Sequence, residues 1–275
     1  MTPVSLFSVG AMAIDSPLHH SSPGSRPYGD LSGRTALVTG GGSGIGAAVA
    51  VALADRGMDV VVTGRRRPAL ENTARRSPAL RIHVGDVSDP HDAAAMVRAA
   101  QDMNGRLDVV VNNAGFGIAA RLDEIDPDDA LRMWATNVLG PTLVTQAALP
   151  YLRVRGGAVV NVSSTFGAKT APGISHYGAG KAALEQLTRS WAVELADAGI
   201  RVNAVAPGPT ESEALDRMGL SAAEAEQVKV QEAAQIPLGR RGHPGEVAEW
   251  VVALARPDSW ITGQVLGVDG GYSVV

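Results

Sequence analysis

The chain alternates between short, almost wholly apolar runs and longer segments with helical patterning. The apolar runs are rich in valine, isoleucine and leucine, and they occupy residues 35–39, 60–63, 82–84, 107–111, 158–162, 200–205 and 264–268. A strand that is apolar at nearly every position is buried on both faces, as in a parallel sheet covered by helices. The pattern therefore predicts a mostly parallel sheet of about seven strands.

The segments between the strands carry helix start and stop signals. Asp89-Pro90 and Asp126-Pro127 each place a capping carboxylate before a proline at the first helical position. Gly57 and Gly199 follow helical segments at a position where glycine often ends a helix. The predicted helices are residues 47–56, 91–103, 127–152, 175–198, part of 211–234, and 244–255. This strand–helix alternation predicts an α/β chain with a three-layer, doubly wound Rossmann fold.

Length and composition limit the alternatives. We expect a single Rossmann-type domain over residues 31–275, preceded by a flexible extension of residues 1–30 that is rich in Ser, Pro, Gly and His. A net charge of −4 gives no basic surface for nucleic acid, and the absence of cysteine excludes disulfides and cysteine-based zinc sites. No apolar run approaches the roughly 20 residues of a membrane-spanning helix. We therefore expect a cytoplasmic protein that binds neither nucleic acid nor membrane.

A glycine-rich turn joins the first strand to the first helix, reading Thr39-Gly-Gly-Gly-Ser-Gly-Ile-Gly46. Its glycines permit a tight turn, while the helix N-terminus offers unpaired N–H groups and a positive dipole to a pyrophosphate. A glycine pattern alone is weak evidence, but the strand–turn–helix context predicts dinucleotide binding. The spacing of Gly40, Gly44 and Gly46 differs from the usual Rossmann fingerprint.

Tyr177 and Lys181 are four residues apart in a predicted helix, so their side chains would lie on one face. A nearby ammonium group stabilises a phenolate and lowers the pKa of the phenol from its ordinary value of about 10. Such a pair could serve as a general acid or base near neutral pH. The alternative is an ordinary exposed pair on a surface helix, because this spacing is common.

With further motifs, these residues resemble the short-chain dehydrogenase/reductase family, in its compact branch of roughly 250 residues. The further motifs are Asp86-Val87, Asn112-Asn-Ala-Gly115, Asn137, Ser164, Pro207-Gly208 and Asp269-Gly270-Gly271. The resemblance covers residues 31–275, with the motifs in the family's order. It implies an NAD(P)-dependent oxidoreductase that transfers a hydride between nicotinamide and a ketone or secondary alcohol.

The resemblance also implies four catalytic residues and no metal. Tyr177 would give or take the proton, while Lys181 would lower the pKa of Tyr177 and hold the nicotinamide ribose. Ser164 would hydrogen-bond the substrate oxygen, and the neighbouring Ser163 would point to the other face of the strand end. Asn137 would hold a water that links Lys181 to solvent, or would instead be a buried residue that bends its helix.

The implied cofactor contacts come from several strand ends. They are Gly40, Ser43, Gly44, Ile45, Gly46, Arg65, Asp86, Val87, Asn113, Ala114, Gly115, Tyr177, Lys181, Pro207, Gly208, Thr210 and Ser212. Asp86 would accept a hydrogen bond from the adenine amino group, with Val87 against the ring. Pro207-Gly208 and the residues after them would meet the nicotinamide amide. Ser212 stands where the family usually has threonine, and it keeps the hydroxyl.

Cofactor choice depends on the end of the second strand. NAD-preferring proteins place a carboxylate there for the ribose 2′-OH, whereas an arginine accommodates a 2′-phosphate. Gly64 followed by Arg65-Arg66-Arg67 favours NADP(H), with Arg65 as the phosphate ligand. Ser43 stands where many NADP-preferring relatives carry a basic residue, so NAD(H) is the alternative.

Three functions fit the resemblance. The first is a 3-oxoacyl-carrier-protein reductase, and the second a stand-alone sugar, steroid-like or xenobiotic alcohol dehydrogenase. The third, a non-catalytic dinucleotide-binding sensor or scaffold, is disfavoured because all four catalytic positions are filled. The family also implies a homo-oligomer, either a tetramer or a dimer.

Residues 209–241 are the predicted substrate lid. Its predicted apolar contacts with the substrate are Leu215, Met218, Leu220 and Ile236. Arg240 and Arg241 are expected to anchor the end of the lid rather than to bind a substrate anion.

Overall fold

The computed structural model of the protein describes residues 30–212 and 221–275. Nearly all of the predicted N-terminal extension lies outside the described residues. Three of the four apolar residues predicted for the lid, Leu215, Met218 and Leu220, also lie outside them. The fourth, Ile236, is buried.

A single sheet of seven strands, all paired in parallel, forms the centre of the described chain. Its strands are β1 (Thr35–Thr39), β2 (Asp59–Gly64), β3 (Leu80–Val84), β4 (Val109–Asn112), β5 (Gly157–Val162), β6 (Ile200–Pro207) and β7 (Val265–Val268). The order is β3-β2-β1-β4-β5-β6-β7. The direction of winding therefore reverses between β1 and β4, where the carboxyl ends of the strands open a crevice. The predicted doubly wound Rossmann sheet is confirmed.

Helices cover both faces of this sheet. In the described residues they are α1 (Gly44–Ala54), α2 (Arg67–Ala74), α3 (Pro90–Gln101), α4 (Pro127–Trp134), α5 (Gly140–Leu152), α6 (Ser175–Glu194), α7 (Ala222–Gln235) and α8 (Pro244–Ala255). Alternate residues of β1 show the two layers of core. Ala36 and Val38 pack with α1, α2 and α8, whereas Leu37 packs with α3, α5 and α6. None of the helices in this part of the chain is both long and apolar enough to cross a bilayer.

Helix α2 is an element that the sequence pattern does not predict. It has eight residues, RPALENTA, and it buries only Leu70 and Thr73. So short a helix presents too few apolar positions for a stripe of period 3.6 to be recognised. Its proline in the first turn is a start signal, but the preceding arginines are not common N-cap residues.

The predicted helix over residues 127–152 is interrupted. Between α4 and α5 lies a π-helical turn, Ala135–Leu139, with Asn137 at its centre. The buried Asn137 side chain binds the backbone of Phe116 at both ends of its amide: Nδ2 donates to the carbonyl at 2.8 Å, and Oδ1 accepts from the N–H at 3.1 Å. Such turns are rare and often lie at functional sites. The helix is therefore irregular where Asn137 reaches the loop after β4.

Buried polar side chains tie the two long helices to the middle of the sheet. Asn112 Nδ2 donates to Asn161 Oδ1 at 2.9 Å and to Thr145 Oγ1 at 3.0 Å. Asn161 Nδ2 donates in turn to Thr188 Oγ1 at 2.9 Å. All four side chains are buried, so these bonds join β4, β5, α5 and α6 where water cannot replace a lost partner.

We expect Asn161→Ala to lower the free energy of unfolding by about 2–4 kcal/mol, because the buried Asn112 Nδ2 and Thr188 Oγ1 each lose one of their two hydrogen-bond partners where water cannot replace it. Urea denaturation measures the change. Asn72→Ala, which removes an exposed side chain on α2, is the control and should change stability by less than about 0.5 kcal/mol. Equal losses in the two variants would contradict this account of the network.

Candidate active site

A cleft of about 530 Å³ opens at the carboxyl ends of the central strands. Most of the residues predicted for the site line it: Gly40, Ser43, Gly44, Ile45, Gly46, Asn113, Ala114, Gly115, Ser164, Tyr177, Lys181, Pro207, Gly208, Thr210 and Ser212. They come from the carboxyl ends of β1, β4, β5 and β6 and the loops after them, and from α1 and α6. The fold thus brings together residues that are far apart in sequence, at the crevice where the winding of the sheet reverses.

The N-terminus of α1 forms one wall of the cleft. Gly44 begins the helix in the left-handed region, with φ of +53°, and no acidic residue stands in the first turn. The Ser43 side chain makes no capping hydrogen bond to that turn. The first N–H groups of α1 therefore meet no carboxylate of the first turn and no N-cap side chain, an arrangement suited to an anion such as a phosphate.

Asn113 ties the glycine-rich turn to the end of β4. Its Nδ2 donates to the carbonyls of Thr39 and Gly40, at 3.0 and 3.1 Å. The Thr39 hydroxyl accepts in return from the N–H groups of Asn113 and Ala114, both at 3.0 Å. A Cβ on Gly46 would lie 2.3 Å from Asn113 Nδ2, so this position requires glycine. Asn113 thus holds the two loops together as well as lining the cleft.

Two adjacent serines after β5 point in different directions. Ser164 makes a side-chain hydrogen bond with Tyr177, and its hydroxyl also accepts from the Phe166 N–H at 3.2 Å. Ser163 turns towards α6, where its hydroxyl donates to Glu185 Oε1 at 2.8 Å. Ser164 is therefore the serine that faces the phenol, as the alternation of the strand predicts.

Tyr177 and Lys181 lie together in the cleft, so the alternative of an exposed surface pair is wrong. Lys181 is 5% exposed, and its Nζ lies 5.8 Å from the centroid of the Tyr177 ring. The ammonium group also donates to the Val162 carbonyl at 2.9 Å.

The pKa of the phenol differs from the prediction. Burial raises the pKa of Tyr177 above its ordinary value, and the hydrogen bond with Ser164 offsets this only in part. Burial lowers the pKa of Lys181 to about 8, against the attraction of Glu185. The spacing of the pair predicted a phenol pKa lowered by Lys181, but it carried no information about burial, which dominates here.

Asn137 is buried and does not line the cleft. A Cβ on Gly115 would be 3.0 Å from Asn137 Oδ1 and 3.4 Å from Lys181 Nζ, so both side chains lie against this glycine. The bonds from Asn137 to the Phe116 backbone fix the loop after β4. The water that the resemblance implies for Asn137 stays a prediction.

The predicted adenine-end residues lie outside the cleft lining. Arg65 is 68% exposed, with Nη1 3.6 Å from Asp86 Oδ2. Burial alone would raise the pKa of Asp86, but hydrogen bonds from Ser88 and the charge of Arg65 lower it below its usual value. Val87 is buried, where a Cβ on Gly140 would come within 2.7 Å of it. Val87 is thus largely a core residue.

Several lining residues were not among the individually predicted contacts, although Pro209, Glu232 and Arg241 fall within the predicted lid of residues 209–241. They are Phe116, Gly117, Ile118, Ala119, Val162, Ser163, Thr165, Phe166, Ile174, Pro209, Glu232 and Arg241. The run from Phe116 to Ala119 directly follows the Asn-Asn-Ala-Gly motif at the end of β4, so its position could have been found from the strand order. The Phe166 ring packs edge-on against the Tyr177 ring, with 6.5 Å between the ring centroids. Isolated apolar residues in loops have no periodic pattern that marks them.

The two arginines at the end of the lid bind other protein groups, as predicted. Arg240 donates to both carboxylate oxygens of Glu246, at 2.9 and 2.6 Å. Arg241 donates to the Thr210 carbonyl at 2.6 Å and pairs with Glu232. Both side chains therefore fix the chain where the lid returns to the domain.

Comparison with known proteins agrees with this geometry. Residues 40–273 match a family model described as enoyl-(acyl carrier protein) reductase. The 3-oxoacyl-[acyl-carrier-protein] reductase FabG of Thermotoga maritima is 36% identical over 250 residues, which are 89% of this chain and 99% of the relative. Cis-4-hydroxycyclohexanecarboxylate dehydrogenase of Sinomonas cyclohexanicum is 41% identical over 250 residues, or 88% and 97% of the two chains.

Solved structures give the same result. A short chain dehydrogenase/reductase family protein superposes with a TM-score of 0.79 at 39% identity, covering 90% of this chain and all of the other. A short-chain dehydrogenase/reductase of unknown function from Caenorhabditis elegans, solved with cofactor, gives 0.85 at 32% identity, with 90% and 97% covered. The chain therefore belongs to the short-chain dehydrogenase/reductase family, and it is an oxidoreductase that uses a nicotinamide cofactor on carbonyl or alcohol groups.

Proposed function

We propose that Tyr177 exchanges a proton with the oxygen of a ketone or secondary alcohol in this cleft, assisted by Ser164 and Lys181. The observation that carries the proposal is the meeting of these three side chains in one cleft with the N-terminus of α1. The cofactor supplies the hydride when it is bound. The protein residues must then hold the reacting oxygen and manage the proton.

The residues of the cleft fit a dinucleotide. The first N–H groups of α1 suit its phosphates, and Gly40, Gly44 and Gly46 allow the backbone to approach closely. Lys181 lines the same cleft, and we propose that it holds ribose hydroxyls of the cofactor. Pro207, Gly208, Thr210 and Ser212 lie on the same cleft lining and are proposed to meet the amide of the nicotinamide.

The protonation states suit reduction. Because its pKa is raised, Tyr177 carries its proton at neutral pH and can donate it to a carbonyl oxygen. The Ser164 oxygen accepts from Phe166 N and its hydroxyl is hydrogen-bonded to Tyr177, and we propose that this hydroxyl turns its proton to the reacting oxygen when substrate binds. The ammonium group of Lys181 stabilises the phenolate that results. Asn137 supports this arrangement by fixing the loop beside Lys181.

The leading substrate class is a 3-oxoacyl thioester on a carrier protein. Its support is the relative named 3-oxoacyl-[acyl-carrier-protein] reductase, which matches over nearly its whole length. The alternative is a stand-alone alcohol dehydrogenase, supported by the relative named cis-4-hydroxycyclohexanecarboxylate dehydrogenase. A catalytically idle sensor is disfavoured because the phenol, hydroxyl and ammonium groups stand within one cleft.

We propose NADP(H) as the preferred cofactor, with NAD(H) as the alternative. Arg65 supports this choice, since it follows β2 and its side chain is mostly exposed. Its ion pair with Asp86 is long, with 3.6 Å between Nη1 and Oδ2. A weak exposed pair costs little to rearrange around a phosphate.

A cytoplasmic homo-oligomer, dimer or tetramer, is proposed as the assembly. Large apolar side chains are exposed on the helices expected to pair between subunits, namely Leu131, Trp134 and Leu139 on the α4–α5 segment and Val193 on α6. Scattered exposed apolar residues are common, but several on adjacent helices favour a covered face.

We expect Tyr177→Phe to lower kcat/KM for ketone reduction by about 10²–10⁴-fold, because the proton donor is lost while the ring is kept. Steady-state assays at the nicotinamide absorbance band measure it. Tyr151→Phe on α5 is the matched control and should leave kcat/KM unchanged. Unchanged turnover in Tyr177→Phe would contradict the assignment of Tyr177 as the proton donor.

We expect kcat/KM for reduction to fall as the pH rises through about 8, because Lys181 is charged below its pKa and loses the charge above it. The Tyr177 proton, with a raised pKa, is lost only at higher pH. In an active Lys181→Arg variant, this fall in kcat/KM should move to higher pH, since a guanidinium stays charged. If the fall occurs at the same pH in that variant, another group is responsible for it.

We expect NADPH to exceed NADH in kcat/KM, and Arg65→Ala to reduce the NADPH value by roughly tenfold or more, because a charge-assisted hydrogen bond to phosphate is lost. The NADH value should change little. Arg67→Ala, at an arginine that faces Glu71 on α2, is the control. A clear preference of the unaltered protein for NADH would rule out this assignment.

A further inference from the structure

The Asp269-Gly270-Gly271 motif, which the proposed reaction does not use, forms a tight turn directly after β7. Both glycines have positive φ angles, of 63° and 90°. The Asp269 carboxylate accepts from the N–H groups of Gly271 at 2.9 Å and Ser273 at 2.8 Å, and so closes the turn. Because a left-handed backbone favours glycine, the motif specifies this turn and with it the position of the next residue, Tyr272.

Tyr272 lies between the lid and the loop after β5. It is 5% exposed, and its ring packs edge-on against the Phe166 ring, with 6.1 Å between the ring centroids. Its hydroxyl donates to Oε1 of Gln235, the last residue of α7, at 3.3 Å. Lys169 Nζ donates to the Tyr272 carbonyl at 2.8 Å and lies 4.3 Å from the ring centroid. These contacts fix the position of the Tyr272 ring.

Phe166 connects this ring to the proposed catalytic groups. Its own ring packs edge-on against the Tyr177 ring, and its N–H donates to Ser164 Oγ at 3.2 Å. A Cβ on Gly178 would lie 2.8 Å from the Phe166 carbonyl oxygen, so the backbone of this residue also fits closely against α6. Phe166 thus contacts both side chains that are proposed to meet the reacting oxygen.

The Phe166 ring depends on its packing partners for a fixed position. Phe166 belongs to a single 3-10 turn, Thr165–Gly167, which is too short to be rigid by itself. The residue is only partly buried, because it also lines the cleft. Tyr272 and Tyr177 pack against its ring, and Tyr272 is the one that belongs to a separate, well-fixed segment of the chain.

We propose that Tyr272 is a positioning residue for the proton donor. It holds the Phe166 ring, and through that ring it keeps the Tyr177 phenol and the Ser164 hydroxyl in the geometry that proton transfer to the substrate oxygen requires. A displacement of about 1 Å in a catalytic group can lower the rate by about 10²-fold, so the support behind Phe166 matters to the reaction. The inference deepens the proposed function and rests on it.

The first experiment measures kcat and KM for ketone reduction by the full chain, with kcat counted per cofactor site titrated by calorimetry. We expect Tyr272→Leu to lower kcat by about fivefold or more and to change KM for the cofactor by less than about twofold. Tyr272→Phe keeps the ring against Phe166 and should retain kcat within about twofold. Tyr151→Leu removes another partly buried ring, on α5, and should leave both constants unchanged.

A double-mutant cycle tests whether Tyr272 acts through Phe166. Phe166→Leu should itself lower kcat, and adding Tyr272→Leu should then lower it by less than about twofold more, because the two changes remove one shared contact. Equal factors in the two backgrounds would overturn the proposal. An unchanged kcat in Tyr272→Leu, or the same loss of kcat in Tyr272→Phe, would also overturn it.

NMR of the ring-labelled tyrosines gives a readout that needs no turnover. The chain has four tyrosines, and Tyr177→Phe identifies the signal of Tyr177. We expect Tyr272→Leu to shift or broaden that signal and Tyr151→Leu to leave it in place; an unmoved signal in Tyr272→Leu would overturn the proposal. If Tyr272→Leu does not fold, Lys169→Met, which removes the ammonium group beside the Tyr272 ring, should move the Tyr177 signal and lower kcat, and a variant that does neither overturns the proposal.

Failure of the proposed function gives a different result. If the unaltered protein reduces no ketone in a wide panel, or if Tyr177→Phe reduces ketones at the full rate, the proposed function is wrong. The Tyr177 signal in Tyr272→Leu then still decides whether Tyr272 positions the phenol.

Discussion

The position of α6 against β5 is the constraint on which the site depends. Polar side chains recur along one face of the helix, at spacings of four, four and three residues, and each meets a group at the end of the strand. The pairs are Tyr177 with Ser164, Lys181 with the Val162 carbonyl, Glu185 with Ser163, and Thr188 with Asn161. A polar stripe of this kind is costly to bury unless every group is paired, so it fixes both the rotation and the axial position of the helix. The phenol and the ammonium group are placed as part of this stripe.

The strands and the location of the cleft could be predicted from the sequence because their causes are local. A strand buried on both faces must be apolar throughout, and polar or glycine residues at its carboxyl end then stand out. Tyr177 and Lys181 could be paired from their spacing, and Gly40, Gly44 and Gly46 could be placed on a strand–helix turn. These features need only the periodicity of one element and the order of the strands.

Features that depend on contacts between distant segments could not be predicted. The raised pKa of Tyr177 results from burial, which its spacing from Lys181 does not reveal. Asn113 binds the turn after β1 through backbone carbonyls, a structural role that its prediction as a cofactor contact did not include. Helix α2 is too short and too polar to show a stripe. Arg241 was expected to anchor the lid, but its two carboxylate neighbours could be identified only in the fold.

The π-helical turn at Ala135–Leu139 lies between α4 and α5. It changes the rotation of one helix relative to the other as well as the hydrogen bonding between them. One additional residue in a turn offsets the side chains after it by about 100° relative to those before it, since an α-helix advances by that angle per residue. The number of residues in this turn therefore determines which side chains of α5 face the core and in which direction Asn137 points. Shortening this turn by one residue would rotate one half of the segment against the other without altering the chemistry of any side chain. The site is sensitive to chain length here in a way that substitution scans would not detect.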